Sequence, residues 1–98
     1  MANPKFHALL KKMAEVHDRK SQDYAQSGDP YSNFKEAAST AGVSLDECFM
    51  TLIGVKLARL KELKGKPPQN ESVQDSRLDL AVYCCIWASF HEPDSEKI

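Results

Sequence analysis

Apolar residues recur at Phe6, Leu9, Leu10, Met13 and Val16, the three-and-four spacing of one helical face, and predict a helix from about residue 4 to 25 with Pro4 in its first turn. Extending that line reaches Lys20, then Asp23 and Tyr24, so the inner face turns from greasy to charged in its last two turns. "QSGDPYS" breaks the pattern at Gly28, Asp29 and Pro30. "NFKEAASTA" predicts a short helix from about 33 to 41 that stops at Gly42, a C-terminal cap. Ser44 and Glu47 then form an S-x-x-E capping box opening a long helix from about 45 to 64. Its apolar face carries Phe49, Leu52, Ile53, Leu57, Leu60 and Leu63, with Lys56 and Arg59 beside it.

"GKPPQN" cannot continue a helix, and a last helix is predicted from about 71 to 91. After Asp79 it reads "LAVYCCIWASF", apolar almost all round, and such a helix needs cover on several sides. Ile86 and Trp87 are therefore expected to be substantially buried, and self-association, a dimer or higher homo-oligomer, is the economical cover. Nothing alternates as a strand should. The pattern predicts an all-α domain over residues 1–98: a bundle of three main helices and one short one, with its core over about 4–91 and a frayed tail at 92–98.

Composition adds limits. Ninety-eight residues suffice for one small core, and a formal net charge of −1 leaves no broad basic surface for duplex nucleic acid. Cys48, Cys84 and Cys85 fit neither a disulfide framework nor a zinc motif, and the Cys84–Cys85 pair within an apolar run reads as buried reduced thiols. No stretch has the length of a membrane span and the N-terminus lacks a signal-peptide core, so a cytoplasmic location is expected. His7, His17 and His91 are too dispersed to suggest zinc.

Three charged groupings border apolar faces: Lys20, Asp23 and Tyr24; Lys56 and Arg59; and Glu71, Asp75 and Asp79 at intervals of four. In an antiparallel bundle the third helix ends near where the fourth begins, which brings Lys56 and Arg59 within reach of Asp75 and Asp79. Charges at the margin of a core must be paired or bind something. The simplest reading is a salt-bridge network that fixes helix register. The cations also suit phosphate, and carboxylates four apart suit magnesium, so together they have the composition of a nucleotide site. Tyr24 and Tyr31 flank the glycine-bearing loop and could stack on a base, whereas Phe34 and Trp87 read as core or interface.

The succession "RKSQDYAQSGDPYSNF", "VKLARL" and "ESVQDSRLDLAVY" resembles a group of small helical proteins common in phages that includes the nucleotide-modification-associated domain. More distantly it is similar to the MazG-type all-α NTP pyrophosphohydrolases. The resemblance covers about residues 19 to 87 and implies a nucleotide-related role for Lys20, Asp23, Tyr24, Lys56, Arg59, Glu71, Asp75 and Asp79. In the phage setting it implies sequestration of a nucleotide signal in the host cytoplasm, an anti-defence role. MazG-type enzymes hold magnesium between an E-x-x-E and an E-x-x-D on facing helices. Here the long helix offers Lys56 and Arg59 instead, and the acidic helix reads E-x-x-x-D-x-x-x-D. Binding is therefore the leading expectation. A magnesium-dependent pyrophosphohydrolase using Glu71 and Asp75 as metal ligands is the alternative, and a scaffold whose charges merely pair is the third.

Overall fold

The computed structural model describes residues 1–24, 28–67 and 72–93, with the side chains of Asp23 and Tyr24 outside that description. Among the described residues the chain is all-α, with four helices and no strand: α1 (Pro4–Tyr24), α2 (Ser32–Ala41), α3 (Leu45–Leu63) and α4 (Val73–His91). The chain divides into two compact units, Met1–Asn33 and Phe34–Ile98.

The first unit is α1 and the turn after it. Asn3 caps α1, its side-chain oxygen accepting from the Phe6 amide at 3.1 Å, and Pro4 follows at the first helical position, where it has no amide to waste. Leu9, Met13, Val16 and His17 form the half-buried stripe of α1, while Phe6 and Leu10 are exposed. Past the helix, Asp29 accepts from the Tyr31 amide at 2.9 Å, a local turn that leads into α2.

The second unit holds the core. α2 ends in a Schellman cap: the Val43 amide donates to Ala38 O at 3.0 Å and the Gly42 amide to Ser39 O at 3.2 Å. Gly42 makes this possible at φ 70°, where a side chain would be strained. Two residues later the capping box predicted for α3 is present. The Glu47 amide donates to Ser44 Oγ at 3.1 Å, and the Ser44 amide to Glu47 Oε1 at 3.0 Å. These hydrogen bonds favour the ionised carboxylate and hold Glu47 below its ordinary carboxyl value, the backbone bond contributing most.

α3 and α4 pack antiparallel around Phe49, which is fully buried. Phe34 of α2 stacks on Phe49 with centroids 4.7 Å apart and meets Tyr83 of α4 edge-on at 6.5 Å. Trp87 lies parallel to Phe49 on the α4 side at 6.1 Å. This aromatic cluster ties three helices together, and Lys35 of α2 adds an ammonium 5.8 Å from the Phe90 ring.

Several expectations need correction. α4 starts at Val73, not 71, because Ser72 and Asp75 form a second capping box. The Asp75 amide donates to Ser72 Oγ at 3.0 Å and the Ser72 amide to Asp75 Oδ2 at 3.4 Å. Cys84 and Cys85 are exposed and only Cys48 is buried, since α4 turns Tyr83 and Trp87 toward the core and carries the two thiols round to the other side. Ile86 and Trp87 are half-buried rather than substantially covered. Leu57 is exposed: at 100° per residue it lies about 80° round α3 from Phe49. The uncovered apolar side chains of this unit are therefore concentrated on α3, not on α4.

One buried group is unsatisfied among the described residues. Ser76 is fully buried on α4, and its Oγ has no hydrogen-bond partner. An orphaned hydroxyl in that position costs about 1–3 kcal/mol. Ser76→Ala removes it with almost no change in volume and with better helix propensity. The variant is expected to unfold at higher urea concentration than the parent, by about 1 kcal/mol or more.

Candidate functional site

Lys56 is the one cation of the predicted set that the fold draws inward. It sits on α3 seven residues after the buried Phe49 and four before Leu60, within the inner face rather than beside it. Its side chain is 18% exposed, and the ammonium lies 2.9 Å from Asp79 Oδ2 on α4. Asp79 is more open, at 44%. The aliphatic stem of Lys56 is thus covered by the two-helix core, while the charged head reaches the rim and meets a carboxylate half in water. Arg59 lies three residues further along α3, on neighbouring helical surface, and is exposed.

The other predicted residues fall differently. Asp75 is exposed, and its carboxylate accepts from the Ser72 amide, so its first task is to cap α4. Glu71 precedes that cap and lies outside the described residues. Of the three carboxylates at intervals of four, Asp75 and Asp79 are on α4. Lys20 is exposed on α1 and belongs to the first unit. Asp23 and Tyr24 close α1, with their side chains outside the described residues. Tyr31 is half-buried in the turn of the first unit.

Of the two carboxylates expected to hold magnesium in the hydrolytic alternative, Asp75 caps α4 and Glu71 lies outside the described residues. No group of three or more His, Cys, Asp or Glu residues among those described is placed to hold a metal ion. A resident magnesium needs carboxylates that converge.

The periodicity of the chain does not disclose a second polar cluster, at the far end of the α3–α4 pair. Asp46 Oδ1 accepts from Trp87 Nε1 at 2.7 Å and lies 2.6 Å from His91 Nε2. An ionised carboxylate only accepts, so the ring proton of His91 is on Nε2 in this pair. Asp46 stands in the first turn of α3, the helix end whose dipole favours a negative charge, and His91 in the last turn of α4. Trp87 and His91, four apart on α4, aim two donors from one face. That spacing is the signal by which the sequence could have shown the cluster, once an antiparallel register was assumed.

The Trp87 hydrogen bond, followed by that of His91, holds the Asp46 carboxyl below its ordinary value of 3.8. A carboxyl whose pKa is lowered by folding stabilises the native state fully above its unfolded value, and the benefit fades as pH falls through the folded value. Acidification below about pH 4 is thus expected to lower the melting temperature through Asp46 and Glu47. In Asp46→Asn that acid-dependent fall should be shallower in a thermal scan series, with His91 no longer drawn to a charge.

Among the described residues no helix is long and apolar enough to cross a membrane. Comparisons with protein-family models, with curated proteins and with solved structures find no match to this chain.

Proposed function

We propose that the second unit binds a phosphorylated, nucleotide-like ligand at the rim of the α3–α4 pair, through Lys56, Arg59 and Asp79, without hydrolysing it. The observation that carries this reading is the asymmetric burial of the Lys56–Asp79 pair, 18% against 44%. A lysine held by its stem presents an ammonium that is already positioned, and positioning is a large part of the cost of binding an anion. A phosphate oxygen arriving at the rim would share or take the ammonium now facing Asp79. Arg59, one turn along, offers a planar fork suited to a second phosphate oxygen. Asp79 would then accept from a ribose hydroxyl or a base amine, which a bare phosphate lacks. This chemistry agrees with the nucleotide-related role implied by the resemblance to the phage proteins, in which sequestration of a nucleotide signal is the anti-defence role. The sequence supports binding over turnover, since α3 offers Lys56 and Arg59 where a second acidic pair would be expected: cations can hold phosphates, but hydrolysis also needs an activated water and stabilised leaving charge.

The pair itself favours a second reading. At 2.9 Å Lys56 and Asp79 satisfy each other with no ligand, and a register-fixing salt bridge needs nothing more. Denaturing the purified protein and identifying released small molecules by mass spectrometry separates the two. A nucleotide released in near-stoichiometric amount supports binding. Failure of nucleoside mono-, di- and triphosphates and cyclic dinucleotides, added at millimolar concentration, to be retained leaves the salt bridge as the whole role. Pyrophosphate release that is lost in Asp75→Asn would instead establish the hydrolytic alternative.

A further inference from the structure

The outer face of α3 is built unlike the outer face of a solvated helix. Over its middle turns it carries Met50, Thr51, Gly54, Val55, Leu57 and Ala58 with no charge among them. Met50 is 60% exposed, Val55 56% and Leu57 52%. Gly54 stands at the centre of this face, and a Cβ built there meets nothing within 4 Å. Glycine in a helix interior costs roughly 1 kcal/mol relative to alanine, and no neighbour among the described residues requires its absence of side chain. A close-approaching second backbone would.

The charges at the two ends of the face indicate what that backbone is. Glu47 lies seven residues before Gly54 and Lys61 seven after it, and both are exposed. We infer that this face of α3 is an antiparallel two-fold seam between two copies of the chain, crossing at Gly54. A two-fold axis through that point sets Glu47 of each copy against Lys61 of the other, giving two opposite-charge contacts from one pair of residues. The uncharged residues obey the same symmetry. Met50 and Leu57 share one flank of the face, four before and three after the centre, so Met50 of one copy meets Leu57 of the other. Thr51 and Ala58 share the other flank and meet likewise, with glycine between them where the helices are nearest. A parallel pairing would instead set Glu47 against Glu47 and Lys61 against Lys61. The seam involves none of the proposed ligand residues, so it stands or falls apart from the proposed function.

Sedimentation equilibrium of the full chain over a micromolar concentration series reads the assembly directly. The wild type is expected to show a monomer–dimer equilibrium. Gly54→Leu, which adds helix propensity but blocks the close approach, should raise the dissociation constant at least about tenfold, the effect of losing one central contact. Lys61→Glu should weaken the dimer in the same direction and Lys61→Arg should not. In a Cys84→Ser, Cys85→Ser background, oxidised Gly54→Cys should form a disulfide-linked dimer. Glu62→Cys, eight residues off the axis, should not, because two-fold symmetry keeps the two copies of that position apart. A monomer throughout the series overturns the inference. So does a dimer indifferent to Gly54→Leu, which places the interface on another surface. Cross-linking of Glu62→Cys as fast as Gly54→Cys excludes the antiparallel crossing. A monomeric wild type that Gly54→Leu destabilises would show instead that another segment of the same chain lies on this face.

Discussion

Phe49→Ala is expected to cost about 3–5 kcal/mol of folding stability, the usual loss for truncating a fully buried aromatic ring. A domain of this size has only about 5–15 kcal/mol to lose, so the variant should be largely unfolded at physiological temperature or close to it. The reason is positional. Phe49 is the side chain shared by Phe34 of α2 and Trp87 of α4, and its removal leaves a cavity where three helices meet. Those rings cannot close the gap without moving the helices that carry them. Urea denaturation followed by circular dichroism measures the loss. Phe49→Leu, which keeps most of the volume, should cost clearly less. Equal effects of the two variants would mean that the stacked geometry matters more than the filled space.

The second large effect concerns binding. Lys56→Met should weaken the proposed ligand about tenfold to a hundredfold, the value of one charge-assisted hydrogen bond of about 1.5–3 kcal/mol. Its effect on folding should stay within about 1 kcal/mol, because Asp79, left behind, is half in water and methionine keeps the apolar stem. Asp79→Ala should be the more damaging change to stability, since it leaves the more covered of the two charges without this partner. The half-open carboxylate keeps that cost below the penalty of a fully buried pair. The opposite order of the two stability losses would show that the ammonium, not the carboxylate, is the better solvated group.

The helix boundaries were legible wherever local chemistry sets them. Gly42 ends α2 because only glycine adopts that conformation without strain, and Ser44 with Glu47 starts α3 by satisfying amides the helix cannot. The start of α4 was misplaced for a related reason. Asp75 closes the same kind of box as Glu47 with a shorter side chain, and the acidic spacing from Glu71 masked it. The Lys56–Asp79 pair was legible because both residues border apolar faces and an antiparallel α3–α4 pair brings them together. Faces were harder. Apolar residue type alone placed Leu57, Cys84 and Cys85 inside, whereas helical rotation from Phe49, Tyr83 and Trp87 carries them out. The Asp46–Trp87–His91 cluster depends on a register between residues more than forty apart, which no local pattern encodes.

The most direct measurement is a thermal-shift panel on wild type and Lys56→Met side by side, with nucleoside phosphates, cyclic dinucleotides and inorganic phosphate at equal concentration. A ligand that binds only the native state stabilises it by RT ln(1 + [L]/Kd) and so must raise the melting temperature. The account predicts that at least one nucleotide-containing ligand stabilises the wild type, that inorganic phosphate does so less, and that the shift is largely lost in Lys56→Met although the unliganded variant melts close to the parent. A shift of equal size in both proteins, or no shift with any ligand while Lys56→Met lowers the melting temperature, would contradict it.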